Sequence, residues 1–292
     1  MTGKKTTNQQ FSEAESIDVF IHRYWQSLND NRNAIITGTL VWSIILVFLF
    51  IVAESNHHFR DFMNVETATF AVTAFTSLFM HNDTNHFVNN ITFLIPASVV
   101  IFGLLGVKKG SLLLVLTGYA GKLMEFLLIT LMNYVLLLLR PLTIQQLGYD
   151  PVIGDLFMSL GGGGISGALM GWTGIMLVAL AVPLSETGFW QELKGRRFQD
   201  SMKSLKNWEW NKEKLIHITL LVILLSCATY TVFTDINNFL AVYYPLIEVS
   251  LTGQLTVDLT LLPGNPTLGH VSCLIAGLFV GKKLQKRMIS RN

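Results

Sequence analysis

Three short stretches of this chain carry residues able to do chemistry: HNDTNHFVNN at 81–90, GGGGISGALMG at 161–171 and NPTLGHVSCLIAG at 265–277. Between them they supply one serine within GISG (Ser166), three histidines (His81, His86, His270) and Asn90. A serine becomes a nucleophile when a histidine within hydrogen-bond reach takes its proton. The oxyanion formed on attack needs donors placed in advance. His86 and Asn90, four apart and so on one helix face, can both donate, as can the Ser166 backbone N–H. The parts required for acyl transfer are therefore present. Singly, each has an ordinary explanation. A membrane serine usually bonds its own backbone, and His86 with Asn90 is adequate glue between helices. Gly163, Gly167, Gly171 and Gly174 have the spacing that lets membrane helices approach closely. GISG is not the nucleophile elbow of soluble hydrolases, which needs a further glycine where this chain has Ala168.

The elements that must position these residues are apolar. The 292-residue chain is 51% hydrophobic and 14% charged, against about 25% charged in a soluble domain. Apolar runs predict helices at 34–53, 86–106, 111–139, 161–182, 214–234 and 267–284, near the length a bilayer core demands. The expectation is an all-α, polytopic membrane protein with six transmembrane helices. Lysine and arginine set its direction. They gather in the N-terminal tail (Lys4, Lys5, Arg23, Arg32), at Lys108 and Lys109, in 183–213 and in the C-terminal tail, and they are sparse or absent in the intervening loops. Six spans with both termini in the cytoplasm satisfy every segment. The second, fourth and sixth spans then all start at the outer surface, which brings His86, Asn90, Ser166 and His270 to one depth. Ser166 is expected about one turn inside its span. Cys227 and Cys273 fall in apolar runs and read as small buried hydrophobes.

Three motifs in register resemble the rhomboid family of intramembrane serine proteases. HNDTNHFVNN fits the family's H-x4-H-x3-N through His81, His86 and Asn90; GISG fits G-x-S-G through Gly164, Ser166 and Gly167; and GHVSCLIAGLFVG fits the histidine-led sixth span through His270 and Gly277. The resemblance covers residues 34–284, as a rhomboid-like six-span bundle between a cytoplasmic tail at 1–33 and another at 285–292. It implies a Ser–His dyad without an aspartate. Ser166 would be the nucleophile and His270 the general base and acid. His86 and Asn90 would hold the oxyanion with the Ser166 amide, and His81 would shape a water-containing cavity. It also implies substrates that are single-span membrane proteins cut near the outer face, and a place in a prokaryotic cell membrane. No cofactor, metal or nucleic acid is implied; the partners are transmembrane protein substrates and the lipid bilayer.

The chain departs from the family pattern at several positions. Cys273 replaces a glycine, which predicts looser packing between the fourth and sixth spans. Met170 replaces an aromatic that stacks on the histidine. Arg60 alone stands where the family has a Trp-Arg pair. The loop 235–266 carries no lysine or arginine and includes FLAVYYPLIEVS at 239–250, read as a gate or as an interfacial segment anchored by Tyr243 and Tyr244. Trp208 and Trp210 suit an interfacial belt. Lys122 and Glu125, three apart within the third span, pair with each other or mark an ion pathway. The competing readings are a non-catalytic rhomboid-fold protein that binds membrane clients, a metal-dependent hydrolase using His81, Asp83 and His86, and a six-span transporter using Lys122 and Glu125.

Overall fold

A long apolar run can satisfy its backbone in lipid only as a helix, and the computed structural model of the chain follows that rule. It describes residues 17–63, 72, 75–81, 84–147, 165–186, 212–252 and 268–289. Those residues form α1 (Ile17–Asp30), α2 (Arg32–Ser55), α3 (His57–Met63), a 3-10 turn (Ser77–Phe79), α4 (Thr84–Leu147), α5 (Ser166–Glu186), α6 (Lys212–Thr252) and α7 (Gly269–Ile289). No strand occurs among the described residues. Three helical stretches are long and apolar enough to cross a membrane: Arg32–Ser55, Thr84–Met132 and Leu215–Pro245. Their outward faces are greasy; Phe48 and Phe233 are 63% and 64% exposed, which suits lipid and not water. The tail expected at 1–33 is partly structured. In α1, Leu28 packs on Gly103, and Asn31 behind it donates Nδ2–H to the Gly103 carbonyl at 2.8 Å.

α4 is two antiparallel arms rather than one rod. Thr39 and Trp42 lie within one turn of α2, yet Thr39 Oγ1 meets Ser98 Oγ at 2.6 Å while Trp42 Nε1–H donates to Ser111 Oγ at 2.8 Å. Ser98 and Ser111 would stand about 20 Å apart on an unbroken helix. The chain turns back at Gly106, whose φ of 72° and ψ of 168° leave the helical region, a φ that glycine alone adopts without strain. The reversal falls between the runs expected at 86–106 and 111–139.

α5 sits at the centre. Every residue from Gly167 to Met176 is buried, and a helix apolar on all sides belongs inside a bundle. Its apolar part, Ser166–Ala181, is shorter than a full crossing. Trp172 anchors it, donating Nε1–H to the Gly110 carbonyl at 3.1 Å and meeting Phe102 edge-on with centroids 5.2 Å apart. Against α7 the two backbones touch. A Cβ on Gly277 would collide with the Gly171 carbonyl, and one on Gly174 would lie 2.5 Å from the Leu274 oxygen and 2.7 Å from the Leu278 nitrogen. Gly281 meets Val178 in the same way. These pairs ascend together, so α5 and α7 run parallel and start side by side. Small residues allow this approach, and it decides where Ser166 and His270 end up.

Two expectations are corrected here. Residues 239–250 are not a loop: they continue α6, which runs from Lys212 through Pro245 to Thr252. The span expected to end at residue 234 does not end there: Asp235, Asn237 and Asn238 lie within α6, and the apolar run returns at Phe239. The α5–α7 packing is also not loosened by Cys273. Its thiol is fully buried, and it fills notches where Gly121 and Gly167 carry no side chain. The room that a glycine at 273 would give is supplied by its neighbours instead.

Candidate functional site

Ser166 is the first helical residue of α5, following Ile165 in a turn; the Ile165 carbonyl accepts the first intrahelical bond, from Leu169 N–H at 2.8 Å. It therefore opens the helix instead of lying one turn inside. That placement matters chemically, because the first amides of a helix have no intrahelical acceptor and point at whatever precedes it. His270 stands one residue further in on α7, which opens at Gly269. The parallel packing of the two helices joins these ends: His270 Nε2 lies 2.9 Å from Ser166 Oγ.

The histidine has a second partner on a third helix. His270 Nδ1 lies 3.0 Å from Asp235 Oδ1 on α6. The other carboxylate oxygen, Oδ2, accepts the backbone N–H of His270 at 3.1 Å and of Val271 at 3.3 Å. The Asp235 side chain is 3% exposed and that of His270 28%, so the carboxylate is shielded while the ring keeps an open edge. The dyad without an aspartate is thus not the arrangement found: serine, histidine and aspartate form one hydrogen-bonded line. Sequence reasoning missed Asp235 because it ended the fifth span at residue 234. A signal was available. Between Leu215 and Ile247 Asp235 is the only acidic residue, and an ionisable group inside an apolar run marks function by default.

A second carboxylate meets the same helix start. Glu125, on the second arm of α4, accepts the Leu268 N–H at 3.0 Å through Oε1, and its Oε2 lies 2.9 Å from Lys122 Nζ. Both side chains are buried. The pair neutralises itself on one helix face, and it also caps the helix that carries His270.

The remaining site residues fall as follows. His86 and Asn90 share a face on the first arm of α4. His81, just before that arm, is buried, with its ring edge-on to His86, Phe87 and Phe50 at centroid distances of 5.4, 5.1 and 6.3 Å. The Asn90 side chain is buried, and its Nδ2 has no hydrogen-bond partner among the described residues. A buried donor without an acceptor is uncommon and calls for a reason. Gly167 lies against Cys273, where a Cβ would come within 3.1 Å of Sγ. Met170 packs in a cluster with Ala228, Cys273, Leu274 and Val232. Tyr243 is buried beside Phe239, and Tyr244 is exposed. Gly164, Asp83, Trp208 and Trp210 lie outside the described residues. Comparison with protein families, with curated proteins and with solved structures finds no match for this chain.

Proposed function

We propose that this chain is a rhomboid-type intramembrane serine endopeptidase, a six-span membrane protein with both termini in the cytoplasm, acting on single-span membrane proteins near the outer face. The observation that carries the reading is the 2.9 Å contact between His270 Nε2 and Ser166 Oγ. It joins residues 104 positions apart in sequence, at the adjoining starts of two helices within an apolar bundle. Ser166 Oγ attacks the scissile carbonyl carbon while His270 takes the hydroxyl proton. The C–N bond then breaks, and His270 returns that proton to the leaving amine. Water cleaves the acyl-enzyme ester by the same exchange in reverse. The oxyanion is held by the Ser166 amide at the start of α5, with Asn90 and His86 as further donors. That the buried Asn90 Nδ2 meets no acceptor among the described residues supports its part in this, because a developing oxyanion would satisfy it. His81 and Gly167 support the site by packing.

The test compares the detergent-purified full chain with Ser166→Ala on a fluorescently tagged single-span substrate. Cleavage by the parent and none by the variant, with a serine-directed fluorophosphonate labelling Ser166, is the expected result. Equal cleavage by both proteins would remove Ser166 as the nucleophile. Absence of both cleavage and labelling would turn the reading toward a rhomboid-fold protein that binds clients without cutting them.

A further inference from the structure

A carboxylate only accepts hydrogen bonds. The 3.0 Å contact between Asp235 Oδ1 and His270 Nδ1 therefore requires the ring proton on Nδ1. That leaves Nε2, 2.9 Å from Ser166 Oγ, with its lone pair free to accept the serine proton. With the opposite tautomer, Nε2–H would face the hydroxyl and the base would be lost. The same carboxylate also fixes where the ring sits, because Oδ2 holds the backbone N–H groups of His270 and Val271. Ring and backbone of one residue are gripped by one side chain.

We infer that Asp235 is a positioning residue for the reaction, setting the tautomer and orientation of His270 and making α6 a working part of the site. The inference rests on the serine-protease reading and adds to it a third group from a third helix. It identifies a specific consequence for Asp235→Asn. The asparagine oxygen can face the two backbone amides or the ring, not both. Facing the ring would turn the NH2 group onto two N–H donors at a helix N-terminus, where an acceptor is strongly preferred. The oxygen therefore stays on the amides, the NH2 group faces Nδ1, and the ring is driven into the wrong tautomer.

The experiment measures kcat, KM and thermal melting for the full chain in detergent, on the same single-span substrate, for the parent, Ser166→Ala, Asp235→Asn, Asp235→Ser and Asp235→Glu. Asparagine and serine both keep an acceptor for the amides, so either can preserve the α7 start. The expected result for Asp235→Asn is a kcat lower by about 10⁴-fold, as tautomer inversion predicts, with KM and melting close to the parent. Asp235→Glu, which keeps an acceptor-only group, should recover part of kcat. A parental kcat in Asp235→Asn, with Ser166→Ala inactive, would overturn the positioning role and leave the nucleophile standing. Full activity of Ser166→Ala would fail the site reading itself. Loss of the folded state in both the asparagine and serine variants would make Asp235 a folding residue and overturn the inference.

Discussion

Two acidic side chains from different helices reach the start of α7, and they end in different company. Glu125 divides its oxygens between the Leu268 amide and Lys122; Asp235 divides its oxygens between the His270 and Val271 amides and the His270 ring. Both solve the same problem. A carboxylate inside an apolar bundle is costly unless its charge is met, and the positive end of a helix meets part of it. The difference lies in the remaining oxygen. For Glu125 the partner is the Lys122 ammonium, one turn away on its own helix. For Asp235 the partner is an imidazole whose other nitrogen touches a hydroxyl, so the hydrogen-bonded line continues to Ser166. On the serine-protease reading proposed above, similar capping serves stability in one case and reactivity in the other, and what separates them is whether the remaining oxygen meets an ammonium or a ring that can take the serine proton.

The largest way to break this comparison is Glu125→Ala. It leaves the Lys122 ammonium buried without its carboxylate and the Leu268 amide without its acceptor, and losing one member of a buried pair costs about 3–5 kcal/mol. The expected outcome is a marked fall in melting temperature in detergent, with kcat per folded molecule far less affected than in Asp235→Asn. Measuring folded fraction and turnover on the same sample separates the two. A fall in kcat as large as that of Asp235→Asn, with melting unchanged, would put Glu125 in the reaction and dissolve the contrast. Lys122→Met is milder. Glu125 keeps its place at the α7 terminus, so the expected loss is about 1.5–3 kcal/mol, the worth of a hydrogen bond to a charged group, again read in melting and not in KM.

Much of this arrangement was legible in the sequence, and the part that was not failed for a definite reason. Ser166 and His270 could be placed together because the pattern of basic residues gives their two helices the same direction, and the structure runs those helices parallel. The break between the arms of α4 was visible because Lys108 and Lys109 interrupt the apolar run there. Asp235 was lost because polarity was taken as the end of a span. In lipid that inference weakens, since polar residues gather either at the surface or at a site inside, and hydropathy reads both the same way. The extent of α6 through Pro245 was lost with it. Cys273 shows a related limit. Its effect on packing depended on Gly121 and Gly167, on two other segments, and no local pattern announces that pairing.

The smallest expected effect comes from Gly269→Ala, and its value is that its sign depends on Glu125. A Cβ at 269 would stand 2.8 Å from Glu125 Oε2 and 3.2 Å from Cδ. The carboxylate is held by Lys122 and the Leu268 amide, so it cannot swing away without losing one of them. Against that strain, alanine is favoured over glycine by about 1 kcal/mol in a helix interior and by less at its first residue. In the parent the two nearly cancel, with a net loss of about 1 kcal/mol or less. In the Glu125→Ala background the obstructing carboxylate is gone and only the helical gain remains, so Gly269→Ala should there raise the melting temperature. A double-mutant cycle on melting measures this reversal. If Gly269→Ala had the same effect in both backgrounds, Glu125 would not be pinned at the start of α7, and the cap assigned to it would have to be given up while that of Asp235 stood.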